Sequence, residues 1–453
     1  MKTTRDGRRL CGPALLVAAL TVGSVAAEEP ANRSASALLN ALDPDVQILA
    51  AEVLERHPGV ARGRSLAAAA EARVPQAAAL PDPTAAFNLF VLPPETRVGP
   101  QRLSVMVSQR LPWFGKLERR ERAAFFEAAA ARADLEGERL RVLTEARRVL
   151  YELAFQEAYA EINRQELQHL VRHEEVALAR YGAGAGLQQQ VIRVQAEITR
   201  RQQRELQIRT RQAQLTAAFN RLRDRPATTP IEIPQLPRSR SLELDVERLR
   251  ALARQRPEAL AASARAAAGE ARVEHAEKGF KPDFQLGLSF TLVDRRDDDV
   301  GRVNPPQGNG DDIFALTAGA NIPLRRPRLE AALGEALHRQ SAAEESHRAV
   351  LAEIEYQIGD LVARLPLLEQ QWRLLDQVLM TQAEEAWRSA EAAYATGKLS
   401  ALDLLDAEHV LFDVRTSRAR TQADWAIAWV RLEGTVGASI SLNPLSPNLE
   451  DAP

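Results

Sequence analysis

Short segments of alternating apolar and polar residues occur at four places in the chain. They lie at 84–92, 102–111, 284–293 and 313–322, and the third, FQLGLSFTLV, alternates most cleanly. A period of two over nine or ten residues is typical of β-strands that present different faces to two environments. It is also the sequence signature of outer-membrane strands. The pattern therefore predicts four strands, arranged in two pairs.

Long helical patterns follow each predicted strand pair. Apolar residues recur at intervals of three and four through 114–181, and shorter helices are predicted to return at 187–225 and 398–437. The matching long segment, 328–396, contains Pro366, which predicts a bend or interruption there because proline has no N–H to donate. At about 1.5 Å per residue each long helix would extend about 100 Å, which predicts coiled-coil packing or a helical tube.

Three sequence blocks recur in the same order roughly 200 residues later, which indicates an internal duplication. The paired blocks are EARV at 71–74 and 270–273, LSVMVSQRLP at 103–112 with FALTAGANIP at 314–323, and YGAGAGLQQQVIRVQAEI at 181–198 with YATGKLSALDLLDAEHVL at 394–411. We assign 28–227 to the first structural repeat, 228–244 to a linker rich in Pro, and 245–440 to the second repeat. Residues 441–453 are predicted to be a flexible tail.

The first 27 residues have the pattern of a signal peptide. A basic start is followed by an apolar stretch at 10–22 and by small residues before a predicted cleavage site at Glu28. Cys11, the single cysteine, lies at the start of that stretch rather than after it, so we expect no lipid anchor on Cys11. No later segment offers the run of about 20 apolar residues that a helical span needs, so any membrane crossing must be made by strands.

Charge and motifs exclude several classes of function. Lys and Arg number 59 against 61 Asp and Glu, a net charge of −2, which does not fit a basic nucleic-acid-binding protein. The chain has no phosphate-binding loop and no nucleophile motif, so no enzyme and no cofactor are predicted. His169 and His173 are spaced as zinc ligands can be, but they lack the Glu of a metalloprotease motif. We expect both histidines on a solvated helix face.

Four strands in one chain cannot form a closed membrane sheet. In a bilayer every backbone polar group must be paired, so an open sheet edge is excluded. The smallest bacterial barrels have about eight strands, and such a barrel is filled by its own side chains. Several chains must therefore share one barrel, and a conduit favours three or more chains over two.

The sequence resembles the TolC-like outer-membrane efflux family. The resemblance rests on the duplication, on QRLPWFGK at 109–116 and on YATGKLSALDLLDAE at 394–408, which is similar to the family pattern Y-x-x-G-x-x-x-x-x-D-V-L-D-A-Q. It implies a mainly α fold with a small β part. It further implies a homotrimer whose twelve-stranded outer-membrane barrel continues as a twelve-helix periplasmic tube.

The resemblance also implies a function and partners. The protein would be a passive outer-membrane exit duct of a tripartite efflux or type I secretion system. It would dock with a periplasmic membrane-fusion adaptor and an inner-membrane pump of the RND or ABC type. The alternative is a periplasmic coiled-coil adaptor or scaffold protein without a channel of its own.

Two acidic residues are candidates for a periplasmic gate. Asp403 and Asp406 match the family's acidic positions near the mouth of the tube, where a trimer would arrange them as two rings of carboxylates that attract cations. The alternative is that both are solvated acids in the first turn of a helix, where the helix dipole favours negative charge.

Four further residues mark the helix turns at this mouth: Tyr181, Gly184, Tyr394 and Gly397. In the family the tyrosine that matches Tyr394 bonds between helices and holds the mouth closed. The basic partner of that bond falls on Leu399 in this sequence. The two tyrosines are therefore either members of a gate or core residues that close helical hairpins.

Overall fold

A computed structural model describes residues 34–237 and 244–440. The predicted signal peptide, the predicted tail and positions 238–243 of the linker lie outside the described residues. Helices make up most of the described chain, and in order they are α1 (Ser34–Asn40), α2 (Pro44–Arg56), α3 (Pro58–Ala78), α4 (Lys116–Gly182), α5 (Gln188–Leu222), α6 (Val246–Ala253), α7 (Pro257–Lys278), α8 (Asp299–Val303), α9 (Arg326–Arg373), α10 (Met380–Ala395) and α11 (Ala401–Val436).

The strands form one antiparallel sheet. They are β1 (Thr84–Leu89), β2 (Glu95–Thr96), β3 (Gly99–Leu111), β4 (Phe284–Val293) and β5 (Ile313–Ala320). The order across the sheet is β1–β3–β4–β5, and the two-residue β2 pairs only with β3. The chain is thus mainly α with a small β part, as the sequence predicts.

The duplication is visible in the order of the elements. Two short helices, α2 and α3, precede the strand pair β1 and β3, and two short helices, α6 and α7, precede β4 and β5. Pro58 and Pro257 each stand in the first turn of the second short helix, where a missing N–H has no consequence. The pairing of β3 with β4 joins the two repeats within one sheet.

The second long helix departs from the prediction. α9 runs through Pro366 without interruption, so the interruption expected there is wrong, and a bend at Pro366 stays a prediction. Leu365, directly before the proline, and Leu361, five residues before it, are buried in the core, and their packing holds the helix together despite the missing hydrogen bond. The irregular stretch comes later, as a π-helical segment at Leu374–Leu379 that separates α9 from α10. The first-repeat counterpart, α4, is continuous over 67 residues.

The core lies along the middle of the long helices. One cluster packs α2 and α3 against α4 and α5, and Leu150 and Phe219 are fully buried in it. A second cluster packs α9 against α11, where Trp425 and Trp429 stack with ring centroids 5.8 Å apart. In the parts of the chain described, no helix is both long and apolar enough to span a membrane.

Candidate functional site

The sheet has an apolar face. In the register of the strands Val107 lies opposite Leu288, and Leu288 lies opposite Leu316. Phe290 lies opposite Phe314, and their ring centroids are 4.9 Å apart. Directly paired residues of antiparallel strands point to the same face, so these side chains form one continuous apolar surface.

The other face of the sheet is polar. The hydroxyls of Thr84 and Ser108 are 2.8 Å apart, and Nε2 of Gln285 donates to the Ser108 hydroxyl at 3.0 Å. Further along the same face the Thr291 hydroxyl donates to the hydroxyl of Ser104, which lies directly opposite it, at 3.1 Å. Hydrogen bonds therefore cross between strands on this side, while the opposite side is mostly apolar, with Gln109 as a polar residue opposite Leu286.

Among the described residues the two edge strands of the sheet are uncovered. Every residue of β1 and of β5 is exposed, and Leu316 is 80% exposed. Among the described residues β1 and β5 each have one partner strand, so the sheet has two free edges. Soluble proteins avoid such uncovered apolar strands because they aggregate. A band of apolar side chains on one face with polar ones on the other is the pattern of a membrane strand.

A buried carboxylate holds the sheet to the helices. Asp283, directly before β4, is 8% exposed. It accepts hydrogen bonds from Nζ of Lys116 at 2.7 Å, from Nη2 of Arg110 at 2.8 Å and from the backbone N–H of Trp113 at 3.0 Å. Trp113 also stacks on Phe284. These contacts give the QRLPWFGK block a physical role, because they fix the turn from β3 into α4.

The charge state of Asp283 follows from these contacts. Burial raises the pKa of its carboxyl, but the hydrogen bonds from Lys116, the Trp113 N–H and Arg110 outweigh burial and lower the pKa to about 2. Asp283 is therefore ionised under all ordinary conditions, and it joins the second repeat to the first by charge-assisted hydrogen bonds.

Two helical tips lie at the far end of the long helices. The first tip is the turn between α4 and α5, which contains Gly184, and the second is the turn between α10 and α11, which contains Gly397. The φ angles of these glycines are 71° and 76°. Each glycine N–H donates to the carbonyl of the tyrosine three residues earlier, Tyr181 or Tyr394, at 3.0 Å. The four predicted turn residues thus form two equivalent turns that only glycine closes without strain.

The two tyrosines have different environments. Tyr181 is 47% exposed, whereas Tyr394 is 5% exposed and packs with Leu404. The guanidinium of Arg180 lies 4.3 Å from the Tyr394 ring centroid and donates to the Tyr394 carbonyl. Leu399, where the family has a basic residue, packs against the same cluster. A basic side chain therefore does contact Tyr394, but it is Arg180 of the first repeat rather than a residue at position 399.

The two acidic candidates lie at the start of α11 and are exposed. Asp403 forms a capping box with Ser400: the Asp403 N–H donates to the Ser400 hydroxyl, and the Ser400 N–H donates to the Asp403 carboxylate, both at 3.3 Å. Within one chain Asp403 is therefore an exposed acid in the first turn of a helix, as the alternative interpretation in the sequence analysis states. Asp406, one turn later, forms no ion pair with the described residues.

His169 and His173 do not lie on a solvated face, and that expectation is wrong. Nδ1 of His169 and Nε2 of His173 each lie 3.2 Å from an oxygen of Glu408, which is 1% exposed. Burial raises the pKa of Glu408, but its contacts with the two histidines lower it by more. Glu408 continues the three-four spacing of Leu404 and Leu411 on α11, and that spacing is the sequence signal that could have placed it in the core.

The described residues contain no group of three or more His, Cys, Asp or Glu side chains arranged to hold a metal ion. The cluster of His169, His173 and Glu408 instead joins α4 to α11. Neither oxygen of Glu408 has a well-directed hydrogen bond to a described residue.

Residues 249–438 match the family model described as "Outer membrane efflux protein". No protein among curated sequences matches the chain. The outer membrane protein VceC from Vibrio cholerae is 22% identical, over 87% of this chain and 96% of its own, with a TM-score of 0.73. The CmeC outer membrane channel of Campylobacter jejuni is 13% identical, over 95% and 94%, with a TM-score of 0.72.

A third structure, the open state of the MtrE outer membrane channel of Neisseria gonorrhoeae, is 18% identical over 87% of this chain and 89% of its own, with a TM-score of 0.70. The TM-scores establish a shared fold, and at identities this low they establish the fold alone. The matched family model covers most of the second repeat. Residues 249–438 are therefore similar to the outer membrane efflux protein family, and the described chain has the fold of the outer-membrane channels named here.

Proposed function

We propose that this protein is the passive outer-membrane exit duct of a tripartite efflux or type I secretion system. The observation that carries the proposal is the sheet, which has an apolar face, a polar face and two free edges. Its apolar face fits lipid and its polar face fits a water-filled lumen. The family match and the shared fold of outer-membrane channels support the same function.

The free edges call for further copies of the chain. A sheet in a bilayer is stable only when its edge strands are paired, so β5 of one copy would pair with β1 of the next. Three copies would close twelve strands, which leaves a lumen, whereas two copies would close about eight and leave none. We therefore propose a homotrimer with one shared barrel.

The helices would form the periplasmic part. α4 has 67 residues and at about 1.5 Å per residue is about 100 Å long, far beyond the thickness of a bilayer. Three copies of the long helices would form a tube below the barrel, with the two tips of each copy at its periplasmic mouth. That mouth is the surface we propose for contact with a membrane-fusion adaptor and an inner-membrane pump.

Asp403 and Asp406 would give the mouth its cation selectivity. Both are exposed and lie three residues apart on α11, so they share a helix face. Threefold symmetry would bring each to its own copies, and a ring of carboxylates attracts cations. The capping box of Asp403 is compatible with this role because the side chain stays exposed while it caps the helix. No catalytic role is proposed for any residue.

Planar-bilayer recordings test this proposal. The purified protein should form cation-selective channels, and millimolar trivalent cation on the periplasmic side should block the current. The double variant Asp403→Asn with Asp406→Asn should lose the block, since Asn keeps the size of the side chain and can still accept the capping hydrogen bond. Asp413→Asn, an exposed acid further along α11, is the matched control and should keep the block.

Two results would oppose the proposal in different ways. A lack of conductance from folded protein would contradict the channel itself and favour the adaptor or scaffold alternative. An adaptor would also remain soluble after detergent is removed, whereas the uncovered apolar face predicts precipitation. Conductance with an unchanged block in the double variant would remove only the gate assignment.

A further inference from the structure

The junction between sheet and helices has an equivalent position in the first repeat. A Pro-Asp dipeptide precedes the first strand of each pair: Pro81–Asp82 before β1 and Pro282–Asp283 before β4. Asp283 is buried among three donors that come from the end of β3 and the start of α4. Asp82 is exposed and forms no ion pair with the described residues.

If the sheets of several copies close into one barrel, a segment of the neighbouring copy lies beside Asp82. In the chain, the residues that follow β3 contact the acid that precedes β4, because β3 and β4 are antiparallel neighbours. If β5 of one copy pairs with β1 of the next, the residues that follow β5 lie beside Asp82 in the same way. The two interfaces, one inside the chain and one between copies, are then related by the duplication.

The segment that follows β5 is rich in arginine. Pro323 matches Pro112 in the duplicated blocks, so Arg325 and Arg326 stand where Phe114 and Gly115 stand in the first repeat, just before the position of Lys116. Both arginines are exposed, and neither takes part in an ion pair among the described residues. One free edge thus ends in unpaired positive charge, and the other begins with an unpaired carboxylate.

We propose that Asp82 of one copy binds Arg325 and Arg326 of the adjacent copy. The partner at this edge is a second copy of the same chain. Its arginines complement the charge of Asp82, and its free edge strand can pair with β1. The chain then uses the acid-base contact of its sheet-helix junction twice, once with Asp283 inside the protomer and once with Asp82 between protomers. This proposal rests on the shared barrel of the proposed function, but it concerns the residues that set its register.

Cysteine cross-linking tests the contact directly. Cys11 lies in the predicted signal peptide and is the only cysteine, so introduced cysteines have no natural competitor in the processed chain. We expect Asp82→Cys combined with Arg325→Cys, and separately with Arg326→Cys, to give covalent dimers and trimers on a non-reducing gel after mild oxidation. A disulfide requires Cα atoms within about 7 Å, so the product reports proximity.

The matched control is Asp294→Cys combined with Arg326→Cys, because Asp294 lies at the other end of β4. It should give no cross-linked species. Absence of a cross-link in both test pairs, in protein that is trimeric by native mass measurement, would overturn this contact and leave the proposed channel intact. A protein that is not trimeric in detergent would instead overturn the shared barrel.

A charge exchange gives a second readout that does not depend on cysteine. Asp82→Arg should place like charges together and lower the temperature at which the trimer dissociates. Adding Arg325→Asp and Arg326→Asp should restore that temperature, because the charges again oppose across the interface. No restoration in a folded triple variant would contradict the proposal.

Discussion

The two helical tips have the same backbone and different side chains. Both turns use a left-handed glycine, Gly184 or Gly397, and the same hydrogen bond to a tyrosine carbonyl. The second tip is held by its side chains, since Tyr394 is buried under Arg180 and Ser400 caps α11. The first tip has an exposed Tyr181 and an uncapped α5.

This difference shows which features of a duplication are fixed by geometry. The turn requires a positive φ, so glycine stands at both positions. Caps and packed side chains are not required by the turn, and only the second repeat has them. The family model matches the second repeat, residues 249–438, which is the repeat whose tip matches the family pattern more fully.

The largest effect is expected where the two repeats join. Asp283→Ala removes the acceptor shared by Lys116, Arg110 and the Trp113 N–H, and it leaves the buried ammonium of Lys116 without a carboxylate, with only the Lys281 carbonyl to accept from it. We expect a loss of about 3 kcal/mol in unfolding free energy, the usual cost of breaking a buried pair from one side. Thermal unfolding in detergent measures it.

Asp294→Ala is the matched control for this variant. Asp294 pairs with Arg102 at 2.7 Å, but both side chains are about half exposed. The control should change stability by less than about 1 kcal/mol, since exposed pairs contribute little. Equal losses in the two variants would contradict the role assigned to Asp283.

Acid should weaken the same junction. The pKa of Asp283 is lowered from 3.8 to about 2, so its stabilising contribution is fully present above pH 3.8 and is lost as the pH falls through 2. This contribution amounts to about 2 kcal/mol. Unfolding followed from pH 5 to pH 2 should show the loss in the natural chain and not in Asp283→Asn. The same acid dependence in both would assign it to other carboxyls.

Glycine replacements should affect both tips equally. Neither Gly184 nor Gly397 has a heavy atom near the place where a Cβ would stand, so Gly184→Ala and Gly397→Ala cause backbone strain without a clash. A residue other than glycine at such a φ costs about 1 to 2 kcal/mol. Amide hydrogen exchange of the tip peptides should rise by a similar factor in both variants. An effect confined to one tip would show that the backbones are not equivalent.

The smallest effect concerns the helix caps. Ser400→Ala should destabilise the start of α11 by about 1 kcal/mol, because it removes the hydroxyl that accepts from the Asp403 N–H. Leu187→Ser should do the reverse at the start of α5, where Gln190 stands at the third helical position that a capping box uses. Hydrogen exchange of the first turns of α5 and α11 measures both, and unchanged exchange at α5 would mean that the first tip is set by other contacts.

Much of the fold could be predicted from periodicity. β4 has the predicted bounds, and α4 differs from the predicted 114–181 by two residues at its start and one at its end. Local pattern is sufficient for such elements because their period persists over many residues. Pro366 shows the limit, since packing around Leu365 keeps α9 helical despite the proline. The two-residue β2, which lies between the first two predicted strands, is too short to leave a pattern.

The site was less predictable than the fold. The turn residues could be placed because a duplicated glycine motif marks them. The contacts of Glu408 with His169 and His173, and of Arg180 with Tyr394, join residues more than 200 positions apart and leave no local signal. Only the position of Glu408 among the apolar residues of α11 hinted that it was buried.

The central claim is that several copies close the sheet that one chain leaves open. Native mass measurement of the detergent-solubilised protein tests it most directly, because it counts the chains in one particle. We expect three protomers, which supply twelve strands and pair every edge. A folded monomer would contradict the claim that β1 and β5 require partners, and a dimer would contradict a barrel with an open lumen.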